Sequence, residues 1–346
     1  FKTAALESLQ NVEDIIEDIK KNGDKSIIHY SKTFNDGDFS SGEDFIVSEE
    51  EIKKAYEMTD DKTINALEKC IENVRDFAQE QLLCLKNLDM KKNNSLLGHR
   101  VIPLERVLCY VPGGNYPLPS SAVMTCTPAK VAGVREVIIT SPRIKPQTIV
   151  AAKMSGADKI YKLGGVQAIG AFAYGSESIK PVDKIVGPGN KYVTYAKKYV
   201  YGKCSIDFLA GPSEVLIVAD DNQNPELVSA DILAQCEHDR DARGYLICFS
   251  KDFAQKVADC AQKQLQTLKT GNIAQISFEK STAVIVNDIE EAVKISNLRA
   301  PEHLELMFDG AWEKSKNFTN YGSLFIGSCC AAVSYTHLTL PTNSRV

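Results

Sequence analysis

No apolar run in this chain approaches 18 residues, and no secretory pattern opens it, so membrane-spanning and exported classes find no support. No block of five like charges occurs either. Forty basic residues against forty-five acidic leave a net charge of -5, which speaks against an electrostatic nucleic-acid binder. Ten cysteines contain no Cys-x-x-Cys pair, and several sit inside apolar runs such as Val107-Leu108-Cys109-Tyr110 and Leu246-Ile247-Cys248-Phe249. That setting predicts free buried thiols in a reducing, cytoplasmic compartment rather than disulfides or a zinc ribbon. There is no G-x-G-x-x-G: after Gly187 and Gly189 the sixth position is Tyr192, too bulky for the close helix–strand packing that the third glycine serves. G-x-x-x-x-G-K-[ST], G-x-S-x-G and any repeat of 20–50 residues are missing too.

What remains is the balance of a soluble globular protein, 44% apolar and 25% charged over 346 residues. That length predicts two domains, or one inserted into another. The chain begins at Phe1 rather than Met, and residues before it are expected. The first hundred residues read as helices. Ser48-Glu49-Glu50-Glu51 is a capping box with Val47 and Ile52 as its staple, and residues 61–85 keep Ile64, Leu67, Ile71, Val74, Ala78 and Leu82 on one face. Short extended runs at Val101-Ile102 and Val107-Leu108 lead into a Gly/Pro-rich stretch. Strand and helix then alternate, with strands at 137–139, 159–161 and 184–186. A second series has strands at 215–218, 245–248 and 283–286. Such alternation predicts βαβ units with parallel sheets, an α/β fold. Residues 328–346 lose all periodicity and carry no acidic residue, so they read as disordered or foreign to the preceding fold.

Four constellations could carry chemistry. Pro112-Gly113-Gly114-Asn115 and Gly187-Pro188-Gly189-Asn190 fall where turns precede helices. They are either plain tight turns or places where backbone N–H groups hold an anion or a cofactor amide. Gln235-Cys236-Glu237-His238-Asp239 ends a helix begun by Asn224 and Pro225. Gln235 and His238, three apart, could share a metal, or simply form a polar helix end. Pro301-Glu302-His303 lies between a helix and a strand, where carboxylate and imidazole could act as two acid–base groups or as a solvated loop pair. Ser213 reads as a turn or substrate-contact hydroxyl rather than a nucleophile. His29 and His99 have no partner pattern and read as structural.

Taken in order, these blocks resemble the histidinol dehydrogenase family. The likeness includes Tyr110-Val111-Pro112-Gly113-Gly114, Gly164-Gly165-Val166-Gln167-Ala168-Ile169 and Val182-Asp183-Lys184-Ile185-Val186-Gly187-Pro188-Gly189-Asn190. It continues through Ala210-Gly211-Pro212-Ser213-Glu214, Gln235-Cys236-Glu237-His238-Asp239 and Ala300-Pro301-Glu302-His303-Leu304, spanning about residues 12–327. The resemblance implies two successive oxidations of L-histidinol to L-histidine through the aldehyde, each giving a hydride to NAD. It implies NAD contacts at Tyr110, Gln167 and Asn190, substrate contact at Ser213, and zinc ligands at Gln235 and His238, which would also meet substrate. Glu302 and His303 become the acid–base pair beside the substrate. A homodimer and the two incomplete Rossmann-like units of an aldehyde-dehydrogenase-like fold are implied as well. The second strand–helix series resumes at Val215. With the resemblance, this predicts residues 1–109 plus 215–327 as one domain and 110–214 as an inserted NAD-contacting domain.

The departure lies in the tail. The family continues with an aspartate zinc ligand and, later, a Glu and a His that reach the partner subunit's site, whereas residues 328–346 contain neither Asp nor Glu. A frameshifted or cloning-derived end is expected, with a zinc site two ligands short and weak activity at most. Two other functions compete: a related dehydrogenase of a sulfonated diol or other small polar alcohol, and a non-catalytic NAD-binding remnant.

Overall fold

The computed structural model describes the backbone of residues 2–113, 117–209, 213–238, 240–268, 270–328, 330 and 342–345, and the side chains of these apart from residues 2–10 and 342–345. The chain divides into two compact units, Phe1–Ala210 with Leu338–Val346, and Gly211–His337.

In the first unit four helices lead: α1 (Lys2–Asn22), α2 (Asp24–Thr33), α3 (Glu49–Glu57) and α4 (Asp61–Leu83). A hairpin of β1 (Leu88–Lys92) and β2 (Ser95–Pro103) follows. Then come β3 (Arg106–Tyr110), α5 (Pro119–Val131), β4 (Glu136–Thr140), α6 (Pro146–Met154) and β5 (Lys159–Tyr161). The series closes with α7 (Gly165–Tyr174), β6 (Lys184–Val186), α8 (Lys191–Val200) and β7 (Ser205–Ile206). The sheet is parallel with order β5-β4-β3-β6-β7. Period-two alternation splits its core: Val107, Cys109, Val137 and Ile139 enter one apolar cluster, and Leu108, Tyr110 and Ile138 the other. The expected capping box starts α3, with Glu51 N–H donating to Ser48 Oγ at 3.2 Å and Ser48 N–H to Glu51 Oε2 at 2.8 Å.

The second unit contains β8 (Glu214–Ala219), α9 (Pro225–Cys236), β9 (Arg243–Cys248), α10 (Lys251–Leu265) and α11 (Gly271–Phe278). It continues with β10 (Thr282–Ile285), α12 (Ile289–Arg299), β11 (His303–Met307), α13 (Ala311–Lys314) and β12 (Ser323–Ile326). Its parallel sheet has order β10-β9-β8-β11-β12. Val215 and Ile217 face a cluster with α9, α10 and α11, whereas Leu216 and Val218 face one with α12 and α13.

The expected α/β class with two Rossmann-like units and a helical start is observed, but the expected partition is not. Residues 1–109 do not join 215–327. The apolar stripe of α1 (Val12, Ile16, Ile19) packs with Ile169 and Phe172 of α7. Leu67, Ile71 and Val74 of α4 pack with Ala122, Cys126 and Ala129 of α5. The helical section thus covers both faces of the first sheet, and residues 110–214 are not an insertion. The tail expectation also changes in part. Residues 329, 331–341 and 346 lie outside the described residues, while β13 (Thr342–Arg345) pairs antiparallel with β2, Asn343 opposite Ile102. Among the described residues no helix is long and apolar enough to cross a membrane. Among the described residues five cysteines are buried free thiols as expected (Cys109, Cys126, Cys204, Cys236, Cys248), but Cys84 and Cys330 are exposed.

Candidate functional site

Each sheet reverses strand order beside its central strand, and open α/β sheets bind ligands in the crevice such a switch point leaves at the carboxyl edge. In the first unit the switch lies between β3 and β6. There a cavity of about 560 Å³, within the usual range for small-ligand sites, is lined by Tyr110 at the end of β3 and Gly113 after it, Arg143 after β4 and Gln167 after β5. Asn190 and Tyr192 line it after β6, and Val12 and Ile15 of α1 close one wall. Tyr110, Gln167 and Asn190, the three residues expected to hold NAD, therefore share one cavity.

Their local partners show how each is held. The Tyr110 hydroxyl accepts the Gly165 N–H at 3.0 Å, and burial pushes its phenol well above the ordinary value. Asn190 is the N-cap of α8; its Oδ1 accepts the N–H groups of Tyr192 and Val193 at 3.0 and 3.1 Å, which leaves its amide N–H groups as the part able to meet a ligand. Gly187 opens this turn at φ 112°, where a Cβ would stand 2.1 Å from the Tyr110 carbonyl oxygen, so only glycine fits. Gln167 is buried, and its Nε2 donates to Asp36 Oδ2 at 3.2 Å. The same Asp36 oxygen accepts the Gly164 N–H at 2.6 Å. Burial is the main cause that pushes the Asp36 carboxyl up to about 6. Among the described residues, Asp36 Oδ1 and Gln167 Oε1 are buried without a hydrogen-bond partner. Asp36 was missed in the sequence, where Asn35-Asp36-Gly37 looks like an ordinary turn.

In the second unit chain direction gathers the other expected residues. Strand β8 runs from Glu214 to the carboxyl edge and α9 returns antiparallel to it, so Gln235 and His238 arrive at the amino edge, where β8 and β11 begin. Ser213, Glu302 and His303 lie at those two strand starts. His303 is buried, 6% exposed, and its Nδ1 stands 3.1 Å from both the Glu214 carbonyl and Gln235 Oε1. A carbonyl can only accept, so Nδ1 carries the proton and Nε2 holds the lone pair in the neutral ring. Phe325 stands edge-on to the imidazole at 6.2 Å. Arg299 pairs with the Glu214 carboxylate, donates to Tyr245 OH at 2.9 Å and lies 4.5 Å over the Tyr245 ring, bracing the strand whose carbonyl holds His303. Glu302 is half-buried beside His303, and its carbonyl accepts the Ser323 N–H at 2.8 Å. Ser213 is half-buried, with its carbonyl accepting Arg243 N–H at 3.3 Å.

The metal expectation finds less. Gln235 directs its amide oxygen to His303, while His238 is exposed at the helix end. Among the described residues no three His, Cys, Asp or Glu side chains are grouped to hold a metal, and Asp239 lies outside them. Two neutral donors, one already used, do not fit a zinc site, which takes about four ligands.

The chain matches the histidinol dehydrogenase family over residues 2–345, wider than the expected 12–327 and through most of the tail. It is 44% identical over 352 aligned residues to the histidinol dehydrogenase of Methanococcus maripaludis, covering 99% of this chain and 82% of that one. The crystal structure of histidinol dehydrogenase from Elizabethkingia anophelis superposes with a TM-score of 0.89 at 34% identity, over 95% of this chain and 78% of that one. An NAD-dependent benzaldehyde dehydrogenase from Corynebacterium glutamicum, at 10% identity and a TM-score of 0.51 over 98% of this chain and 83% of that one, shares the fold alone. This chain belongs to the histidinol dehydrogenase family.

Proposed function

We propose that this chain is built for the NAD-dependent oxidation of L-histidinol to L-histidine through histidinal. The observation that carries the reading is the placement of His303 Nδ1 3.1 Å from the Glu214 carbonyl, an obligate acceptor; in the neutral ring this puts the proton on Nδ1 and the lone pair on Nε2. A basic Nε2 takes the hydroxyl proton as the carbinol carbon loses hydride. Glu302, next along the backbone, takes a proton from the water that adds to the aldehyde carbon, and the resulting hydrate gives up the second hydride together with its two hydroxyl protons to become the carboxylate. Bound NAD would accept one hydride in each oxidation.

Tyr110, Gln167 and Asn190 would hold that dinucleotide, and the unpartnered oxygens of Asp36 and Gln167 make the cavity wall polar enough to suit it. Ser213, Gln235 and His238 would meet the substrate. Zinc belongs to the family reading, but the described donors do not fit it. The same reading carries a homodimer and a reducing, cytoplasmic setting, and sedimentation tests the dimer.

Incubation with L-histidinol and NAD, followed at the NADH absorbance with chromatographic detection of histidine, tests the reaction. Histidine formed together with two NADH per molecule supports it. NADH production from a sulfonated diol and none from histidinol would sink it.

A further inference from the structure

Lys197 and Asp207 form an ion pair sealed from solvent, their side chains 3% and 1% exposed. Lys197 stands two turns into α8, and Asp207 follows β7. Each of the two also bonds Gly187. Lys197 Nζ donates to the Gly187 carbonyl at 2.8 Å, and the Gly187 N–H donates to Asp207 Oδ2 at 2.7 Å. Gly187 also presses against the Tyr110 carbonyl, with no room for a Cβ. Both polar backbone groups of this residue are thus saturated by side chains, and its third side is closed by the central strand.

Burying such a pair is a poor route to stability, because desolvation offsets the attraction and apolar replacements of similar volume are often neutral or better. What the pair does supply is a single conformation for the turn. Gly187 begins the turn, Asn190 ends it, and Asn190 caps the same helix that carries Lys197. Turn and helix are therefore cross-braced, with the Asn190 amide at the cavity wall.

We propose that Lys197 and Asp207 are positioning residues for the dinucleotide site, setting the Gly187–Asn190 turn so that Asn190 meets the ligand. This rests on the NAD reading above. The turn is held by two buried charges that never touch the ligand. Losing them loosens the turn while the sheet stays intact.

The test uses Asp207→Asn, which keeps volume and an acceptor for the Gly187 N–H, and Lys197→Met/Asp207→Asn, which removes both charges. Melting temperature, residue-resolved amide exchange and NAD calorimetry are measured on each and on the parent. The expected result is faster exchange at Gly187, Gly189 and Asn190 with β3 and β4 amides unchanged, and NAD affinity lower by about tenfold or more. A variant that melts like the parent should still show both effects. Parent-like affinity in the double variant would overturn the proposal. So would affinity losses that merely track the fall in melting temperature across the set, or a Gly187 amide as fast in the parent as in the variants. If the double variant does not fold, Asp207→Asn alone decides by the same two readouts. A parent chain that gives no heat with NAD would overturn the dinucleotide reading itself, and exchange at Gly187 would then judge the brace separately.

Discussion

Asp36→Asn should make the first unit more stable at neutral pH and leave it nearly unchanged in acid. Burial pushes the carboxyl from an ordinary 3.8 to about 6, with the Gly164 N–H, Arg143 and Gln167 opposing only part of that shift. A raised folded pKa means that the folded state holds the proton more tightly than the unfolded chain. The stability this confers is fully present below about pH 4 and is lost as pH rises through about 6. Two pKa units at about 1.4 kcal/mol each make the loss roughly 2–3 kcal/mol. In a unit of this size each kcal/mol moves the midpoint by about 2–4 °C, so the parent should fall by roughly 5–10 °C relative to the variant between pH 4 and pH 7. Asparagine keeps an acceptor for Gly164 and cannot ionise, so its curve lacks this fall. Scanning calorimetry of both proteins across that range gives the difference curve, in which all other titrating groups cancel. Parallel curves, or a parent that gains on the variant as pH rises, would refute the account of Asp36 as a carboxylate strained by burial.

Asn190→Ala should weaken NAD binding and also loosen α8, because it removes the cap with the amide. Asn190→Ser keeps a capping oxygen, so parent-like NAD affinity in that variant, measured by calorimetry, would take the Asn190 amide out of the site. In an active histidinol dehydrogenase background, His303→Ala should lose histidinol oxidation by about two to four orders of magnitude, whereas Glu302→Gln should stall chiefly on histidinal. Steady-state rates on the two substrates test this, and equal losses everywhere would mean that the pair acts as one unit. The chain should not keep stoichiometric zinc after dialysis. Metal analysis that finds one zinc per chain would show other residues completing the shell, with Glu237 and Asp239 the first to examine.

Much of the sheet framework was readable because buried parallel strands announce themselves as short apolar runs; Val137–Ile139 and Val215–Val218 are buried on both faces and could hardly read otherwise. The hairpin of β1 and β2 around His99 could be sensed in the sequence, but its strand bounds could not. Leu88, Met90, Leu96 and Leu97 are all largely exposed, so no alternation of buried and exposed positions marks it. The domain partition failed for a different reason. An amphipathic stripe such as Val12, Ile16 and Ile19 says that a helix packs, but not on which of two similar sheets. At the cavity, motif blocks pointed to Tyr110, Gln167 and Asn190, whereas Asp36 and Lys197 carry no local signature. Asp36 acquires its role through a contact 128 residues away, and Lys197 looks like a surface residue of a Lys-Lys pair until Asp207 meets it. His303 was visible beside Glu302, but its tautomer depends on a backbone carbonyl, and every residue has one of those.

The order of the two sheets along the chain bears on how it is made. Every strand of the first sheet, β3 to β7, lies between residues 106 and 206, and the helices that cover it precede or interleave those strands. The second sheet is written wholly after residue 213. A ribosome therefore delivers one complete sheet with its cover before the next begins, in keeping with domains that fold as units in order of synthesis. An inserted domain would instead have forced early helices to wait, apolar faces open, for strands made a hundred residues later. Among the described residues only β13 arrives late, and it joins an exposed hairpin edge at β2 rather than either core.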